Sequence, residues 1–169
     1  MVIEEYITPW LRDYRQYALL AVPAIAFLEA FVGIGFFIPG VILLSVCTIL
    51  YTEQIATLQQ MLPLAFAGAV LSDHSGFYFG RLTGKRFHQT QFAQKRIILI
   101  EKAEANIVKY GAFAIFFGRF MTPIRSIVPL LTGASGMTRL RYSVYDVVSC
   151  LVWTFLLAVL IVGLDTLLG

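Results

Sequence analysis

Apolar positions in this chain form long continuous stretches that are separated by short polar segments. The first stretch, residues 17–51, contains a single charged residue. As one straight helix it would measure about 52 Å at 1.5 Å per residue, whereas the hydrocarbon core of a bilayer is about 30 Å thick. The segment GIGFFIPG, residues 33–40, concentrates residues that break helices. We therefore predict a re-entrant hairpin over about 29–52, with its turn at Pro39 and Gly40.

Two other apolar stretches predict membrane-spanning helices, residues 61–80 and residues 142–164. Asp73 and His74 interrupt the first of them. Each stretch has about the length of 20 residues that a helix needs to cross the hydrocarbon core.

The stretch 112–136 is apolar but contains two arginines, Arg119 and Arg125, and several helix-breaking residues. Two central arginines cost roughly 5–7 kcal/mol on the insertion scale, and the Leu, Ile, Phe and Val residues of the stretch return roughly 3–6 kcal/mol. A lone lipid-facing helix is therefore unfavourable. We expect a second re-entrant hairpin, packed inside protein or against a water-filled cavity, where non-helical backbone is tolerated. Its predicted turn residues are Pro123, Pro129 and Gly133.

Two polar segments are predicted to lie at the membrane surface. Residues 3–17 mix charges with Trp and Tyr, which is typical of the headgroup region. Residues 81–111 carry seven Lys or Arg and two Glu, and the positive-inside rule places them in the cytoplasm. Their apolar residues approximate one helical stripe, which predicts a basic amphipathic helix. These residues are Ala93, Ile97, Ile100 and Ile107.

The order of the segments repeats along the chain. A surface segment, a broken apolar region and a span occupy residues 1–80, and the same order occupies residues 81–169. Pro39 and Pro129 are 90 residues apart. We therefore predict a single membrane domain built as an inverted repeat, in which two hairpins enter from opposite sides. Transporters use such opposed broken segments at the bilayer midplane.

Composition agrees with a membrane location. Of the 169 residues, 59% are hydrophobic and 14% are charged, against about 25% charged residues in soluble domains, and the mean hydropathy is +0.79. The long apolar stretches favour an all-α polytopic membrane protein. Cys47 and Cys150 lie in apolar stretches and are interpreted as small core residues. We expect no metal, cofactor or nucleic-acid partner, and the sequence leaves monomer and homo-oligomer open.

Arg119 and Arg125 are the leading candidates for a binding site. Six residues along an unbroken helix turn two side chains about 240° apart, so a break at Pro123 is needed for both guanidiniums to converge. Two converging guanidiniums would hold a phosphate, because each is a rigid, permanently charged fork of donors. Alternatively, the arginines extend to the lipid headgroups, or pair with Glu29 and Asp73 to hold the helices together.

Glu29 and Asp73 are the candidate charge partners of the arginines. Glu29 is either a proton-responsive partner or half of a static buried ion pair. Asp73 is either a second such acid or a group at a helix end near water. Ionisable residues inside a membrane are functional candidates by default.

Three motifs of the chain form a recognisable set. GRFMTPIRSIVPLLTGASGM, residues 118–137, has two arginines six residues apart, a proline between them, a proline after them and a small-residue end. The other two are LEAFVGIGFFIPG, residues 28–40, and LSDHSGFYFGRLTG, residues 71–84. They resemble the C-terminal, N-terminal and middle motifs of the DedA family, bacterial membrane proteins also described as SNARE-associated or VTT-domain proteins. The resemblance covers most of residues 20–165.

This resemblance implies two opposed re-entrant hairpins and translocation of a lipid across the bacterial inner membrane. Undecaprenyl phosphate and phosphatidylethanolamine are substrates proposed for the family, and some members are thought to be driven by the proton-motive force. Glu29, Arg119 and Arg125 match the family's functional acid and arginine pair. Val41 stands where many members carry an acid, directly after the Pro-Gly of the first hairpin, and this departure argues against proton coupling.

The sequence therefore predicts a flippase or scramblase that binds a lipid phosphate at Arg119 and Arg125. The alternative is a proton-coupled transporter of small ions or drugs, which needs an acid that titrates and is weakened by Val41. An intramembrane lipid phosphatase would need histidines beside basic residues to form and resolve a phospho-enzyme. His74 and His88 are poorly placed for this, so we do not expect an enzyme. A purely structural partner protein is the remaining alternative.

Overall fold

Every regular element described in the computed structural model is helical. The structure describes residues 15–35, 40–89, 91–95, 97–111, 113–120 and 125–168. Within these ranges the helices are α1 (Arg15–Ala30), α2 (Val41–Thr52), α3 (Leu58–Thr83), α4 (Gln91–Gln94), α5 (Ile97–Tyr110), α6 (Phe113–Phe120), α7 (Val128–Ala134) and α8 (Arg139–Leu168), with a 3₁₀ segment at Gly84–Gln89. The predicted surface segment 3–17 falls almost entirely outside the described residues, as do the predicted turn residues Pro39 and Pro123.

The first apolar stretch is divided where the sequence predicted. Helix α1 ends at Ala30, residues 31–35 turn, and α2 begins at Val41. Gly40 is the residue that caps the N-terminus of α2. The two helices pack against each other, so the chain changes direction between them instead of continuing as one long helix.

In the described part of the second broken stretch, α6 and α7 are separate helices, with turn residues Ser126 and Ile127 directly before α7. Pro129 lies in the first helical turn of α7, where a missing backbone N–H costs nothing. It therefore begins the helix and does not form the turn. The prediction that Gly133 is a turn residue is wrong, because Gly133 lies within α7.

Helix α3 is the central element and packs against α1, α7 and α8. Its contact with α7 depends on two glycines. A Cβ atom on Gly80 would overlap the carbonyl oxygen of Leu130, and one on Gly133 would overlap the carbonyl oxygen of Phe77. The backbones of α3 and α7 therefore touch directly, as small residues allow in membrane helices.

Two hydrophobic clusters stabilise opposite ends of the helix pair α3 and α8. One contains Phe77 of α3 and Tyr142 of α8, with α5, α6 and α7 around them. The other contains Met61 of α3 and Leu157 of α8, with α1 and α2 around them. The buried polar residues of α3 and α8 therefore lie between the two hydrophobic clusters.

The basic segment does not form the single amphipathic helix that the sequence predicted. It is divided into the 3₁₀ segment, α4 and α5. Ile100 and Ile107 are buried on α5, whereas Ile97 is exposed. Gly84, with a positive φ of 52°, ends α3 within this segment, and Lys95 is a turn residue between α4 and α5, so the predicted stripe is interrupted.

One helix of the described chain, Arg139–Leu167, is long and apolar enough to cross a membrane by its length and composition, with a mean hydropathy of 2.7 over its most apolar part. Helix α3 has 26 residues and is about 39 Å long at 1.5 Å per residue, but it carries buried polar side chains. Helices α1 and α2 are shorter and apolar.

The contact between α3 and α7 predicts the effect of Gly80→Ala. The added methyl group must push against the backbone of Leu130, so the variant should lose roughly 1–3 kcal/mol of stability. Gly163→Ala in α8 is the matched control, because a Cβ there meets nothing within 4 Å. Thermal unfolding of both variants in detergent tests this, and equal melting temperatures would contradict the close packing.

Candidate functional site

The first half of the candidate site is an ion pair between helices α6 and α3. Arg119 lies one residue before the end of α6, and its Nη1 donates to Oδ2 of Asp73 in the middle of α3. The side chains are 3% and 2% exposed, respectively. Asp73 is therefore a buried charge partner, and the alternative that it lies near water at a helix end is wrong.

The second half is an ion pair between the two broken stretches. Nη1 of Arg125 donates to Oε1 of Glu29, whose side chain is 3% exposed. Glu29 lies at the end of α1 and also lies against Gly40, where a Cβ atom would come within 3.1 Å of Oε1. The carboxylate therefore sits beside the N-terminus of α2, which favours negative charge.

Trp153 of α8 brings the two arginines together. The guanidinium carbon of Arg119 lies 5.4 Å from the centroid of the Trp153 ring, and that of Arg125 lies 5.0 Å from it. Both distances fall in the range of cation–π attraction. The two guanidiniums thus converge on one aromatic side chain and do not extend toward lipid headgroups.

A further acid, Asp146 of α8, extends this cluster. Its Oδ1 lies 3.7 Å from Nη1 of Arg119, and its Oδ2 lies 3.2 Å from Nδ1 of His74. Nδ1 is also 3.0 Å from the carbonyl oxygen of Val70, and Nε2 is 3.0 Å from Oγ of Ser143. His74 therefore joins the buried charges to the surface of the helix pair, since its side chain is 24% exposed.

Both arginines have N–H donors that form no hydrogen bond with any of the described residues. These are Nε and Nη2 of Arg119 and of Arg125. Nε and Nη2 form one edge of a guanidinium, and their two N–H groups point in the same direction. Each arginine thus uses Nη1 for its carboxylate and retains a free edge that matches two oxygen atoms of an anion.

A small cavity borders this cluster, and its enclosed part has room for about one water molecule. Its lining combines the charged groups with apolar side chains of the second broken stretch. The lining residues are Asp73, Ile115, Arg119, Arg125, Val128, Pro129 and Asp146. An anion larger than water can reach the guanidiniums only if side chains of the lining move.

Asp73, Asp146 and Cys150 also place oxygen and sulfur atoms within 4.8 Å of one another, a grouping that could hold a cation. Arg119 already bonds Asp73 and lies near Asp146. The positive charge of this grouping is therefore supplied by the guanidinium, and the residues fit a metal ion poorly.

The sequence named four charged members of the cluster, and the structure brings all four together: Glu29, Asp73, Arg119 and Arg125. It did not assign Asp146, His74 or Trp153 to the site. A usable signal was present, because Asp146, Cys150 and Trp153 lie at spacings of four and three and thus share one helix face. Of the predicted turn residues, Gly40 and Pro129 contact the cluster or its cavity, and Gly133 instead contacts α3.

The chain is similar to known membrane proteins over most of its length. A family model described as the VTT domain matches residues 38–163. The inner membrane protein YabI of Escherichia coli is 27% identical over 152 residues, which cover 90% of this chain and 58% of YabI. The uncharacterised membrane protein BU139 of Buchnera aphidicola is 22% identical over 151 residues, covering 89% of this chain and 59% of that protein. Protein DedA of Escherichia coli is 24% identical over 157 residues, covering 91% of this chain and 72% of DedA.

The chain thus spans a little under three fifths of the length of the first two of these relatives. No solved structure shows significant similarity to it. The match to the VTT domain covers most of the chain, including both arginines, the second broken stretch and all of α3, and it begins after α1 and Glu29. The chain belongs to the VTT-domain, or DedA, family of membrane proteins.

Proposed function

We propose that this protein moves a phosphate-bearing lipid between the leaflets of a bacterial inner membrane, as a flippase or scramblase and not as an enzyme. Undecaprenyl phosphate and phosphatidylethanolamine are the substrates that fit the family. The observation that carries the proposal is the pair of buried guanidiniums, each with an unused donor edge, that converge on Trp153.

The chemistry of these edges favours phosphate. Nε and Nη2 present two parallel N–H groups, and a phosphate presents pairs of oxygen atoms at the matching separation. Two arginines can contact different oxygen pairs of one phosphate, and neither can lose its charge at physiological pH. The apolar lining from Ile115 and Val128 suits the hydrocarbon next to a lipid phosphate.

Asp73 and Glu29 compensate the charges of the two arginines when no lipid is bound. An uncompensated guanidinium inside the protein costs several kcal/mol, and each carboxylate removes that cost. Because the cavity beside the cluster has room for only about one water molecule, side chains of its lining must move before a phosphate reaches the free edges of the arginines. The carboxylates can stay on Nη1 while the phosphate binds Nε and Nη2.

The proposed lipid transfer also implies how the helices lie in the membrane. In our proposal α1 with α2 and α6 with α7 are re-entrant hairpins that enter from opposite sides as an inverted repeat, and α3 and α8 cross the bilayer. The basic segment lies in the cytoplasm. The charge cluster then lies between the two hydrophobic clusters, at a depth that a headgroup must pass during transfer.

Removing each ion pair as a pair tests the role of the arginines. Asp73→Asn with Arg119→Gln, and Glu29→Gln with Arg125→Gln, each remove one positive and one negative charge together and leave the net charge of the cluster unchanged, so both variants should fold. Each removes charge-assisted bonds to phosphate, worth roughly 1.5–3 kcal/mol apiece, and should slow lipid movement roughly tenfold to a hundredfold. The measurement is the transfer of fluorescent phosphatidylethanolamine between the leaflets of proteoliposomes.

Two controls separate binding from folding. Arg139→Gln removes an exposed arginine that stacks on Tyr78 and should transfer lipid at the normal rate. Arg119→Gln alone leaves Asp73 buried without a cation, and it should lose roughly 3–5 kcal/mol of stability that the added Asp73→Asn restores. Normal lipid movement by both paired variants would leave the ion pairs with a structural role only.

Single cysteines test the proposed hairpins. Gln54, Lys95 and Thr138 are exposed positions after α2, after α4 and before α8. If α3 crosses the membrane and α6 with α7 form a re-entrant hairpin, Gln54→Cys should react with an impermeant maleimide from outside the cell. Lys95→Cys and Thr138→Cys should react only after permeabilisation. Reaction of Thr138→Cys from outside would show that the second hairpin crosses the membrane.

A further inference from the structure

The charge cluster contains one more acid than it has permanent cations. Glu29, Asp73 and Asp146 are each 3% exposed or less, and they are balanced by Arg119 and Arg125. Three carboxylates against two guanidiniums leave one negative charge inside the protein. A buried charge without a partner is disfavoured by several kcal/mol, so the cluster has a strong tendency to hold one proton.

Either of two groups that face each other, His74 and Asp146, can hold that proton. Nδ1 of His74 lies 3.2 Å from Oδ2 of Asp146, an oxygen with no assigned hydrogen-bond partner in the described chain. Asp73 and Glu29 are each bonded to an arginine. Asp146 is 3.7 Å from Arg119, too far for a hydrogen bond. The imidazole–carboxylate pair is thus the part of the cluster with the least compensation from the arginines.

The surroundings of His74 accommodate the ring with and without the extra proton. Nδ1–H faces the carbonyl oxygen of Val70 and the carboxylate of Asp146 in both states. Nε2 faces the hydroxyl of Ser143 at 3.0 Å, which donates to a neutral ring and accepts from a charged one. A change of charge therefore needs only rotation of one hydroxyl.

His74 lies toward one end of its helix and is partly exposed. It lies nine residues before the end of α3, and Asp146 lies seven residues after the start of α8, distances of about 14 and 11 Å along the helices. The two helix ends are adjacent, because Arg81 donates to the carbonyl oxygen of Met137. The imidazole is 24% exposed, while Asp146 is closed off behind it.

Among the described residues, the other helices around His74 add no second proton acceptor beside it. Helix α8 contributes Asp146 and the Tyr142 ring, which contacts the imidazole edge-on, and α6 contributes Arg119 through Asp146. Asp73 is its neighbour on α3, bonded to Arg119. Helix α7 has no ionisable side chain, and the Glu29 of α1 is bonded to Arg125.

From this arrangement we infer that His74 and Asp146 form a proton-binding site that controls the affinity of the arginines for phosphate. The inference rests on the proposed function. One proton from the water at the helix ends adds to the pair, no bond other than that N–H or O–H forms, and the cluster changes from one negative charge to neutral. A phosphate anion binds the neutral cluster more tightly than the negative one, so by linkage phosphate binding and proton binding strengthen each other.

The test is binding of a short-chain phosphatidylglycerol to the full chain in nanodiscs of zwitterionic lipid, measured by calorimetry. This phosphodiester keeps one negative charge between about pH 5 and 8, where a histidine changes its charge. Wild-type protein should bind more weakly as the pH rises, by at most about tenfold per pH unit for one linked proton. Repeating the titration in buffers of different ionisation enthalpy should show uptake of a fraction of one proton.

Two substitutions should remove the pH dependence in opposite directions. His74→Gln keeps the surplus acid and removes the imidazole, so binding should be weak at both ends of this range. Asp146→Asn removes the surplus acid, so binding near pH 8 should be as tight as that of wild-type protein near pH 6, without proton uptake. The double variant should behave like Asp146→Asn. It has no uncompensated charge, so it keeps the test valid if His74→Gln does not fold.

His88→Gln, in the 3₁₀ segment, is the matched histidine control and should keep the wild-type profile. A wild-type pH profile in the His74→Gln and Asp146→Asn variants would overturn the proton site and leave the proposed function standing. Failure of wild-type protein to bind the lipid near pH 6 would contradict the proposed function itself. The two failures are therefore distinguishable.

Discussion

The structure depends on the neutralisation of buried charge between two apolar clusters. Arg119 and Arg125 cannot lose their charge, and each is fixed to a carboxylate on a different helix. This requirement connects the second broken stretch to α3 and to the first broken stretch, because Arg119 pairs with Asp73 of α3 and Arg125 pairs with Glu29 near the end of α1. Hydrophobic packing alone would stabilise the two ends of the molecule separately. The ion pairs determine how the ends are joined.

Replacing a buried ion pair by well-packed apolar residues is often neutral or stabilising by 1–4 kcal/mol. The cluster is therefore a poor device for stability alone. Its arginines keep unused donor edges, and the third acid adds a negative charge that no guanidinium balances directly. Both features cost stability in a low-dielectric interior, and both suit the binding of a lipid phosphate that we propose.

The sequence was sufficient to predict the breaks and the charged residues. The position of α2 follows from the concentration of Gly and Pro at 33–40, and the separation of α6 from α7 follows from the cost of two arginines in a lipid-facing helix. These are local effects that composition and helix propensity capture. The re-entrant course of the two stretches, the repeat and the cytoplasmic basic segment stay predictions, because the helices alone do not define a bilayer.

The rest could not be predicted because it depends on contacts between distant residues. Whether Gly133 turns the chain or meets Phe77 is decided by the approach of α7 to α3. The basic segment divides at Gly84 and again at Lys95, and its apolar stripe runs across the second of these breaks. The pairing of Asp73 with Arg119, and not with water, likewise depends on how α6 packs beside α3. The sharpest case is Asp146, whose position near the start of an ordinary span gives no sign of a partner. Asp146 joins the cluster because α8 places it between Arg119 and His74. It is the third acid beside two arginines, so the charge of the cluster depends on whether His74 and Asp146 hold a proton.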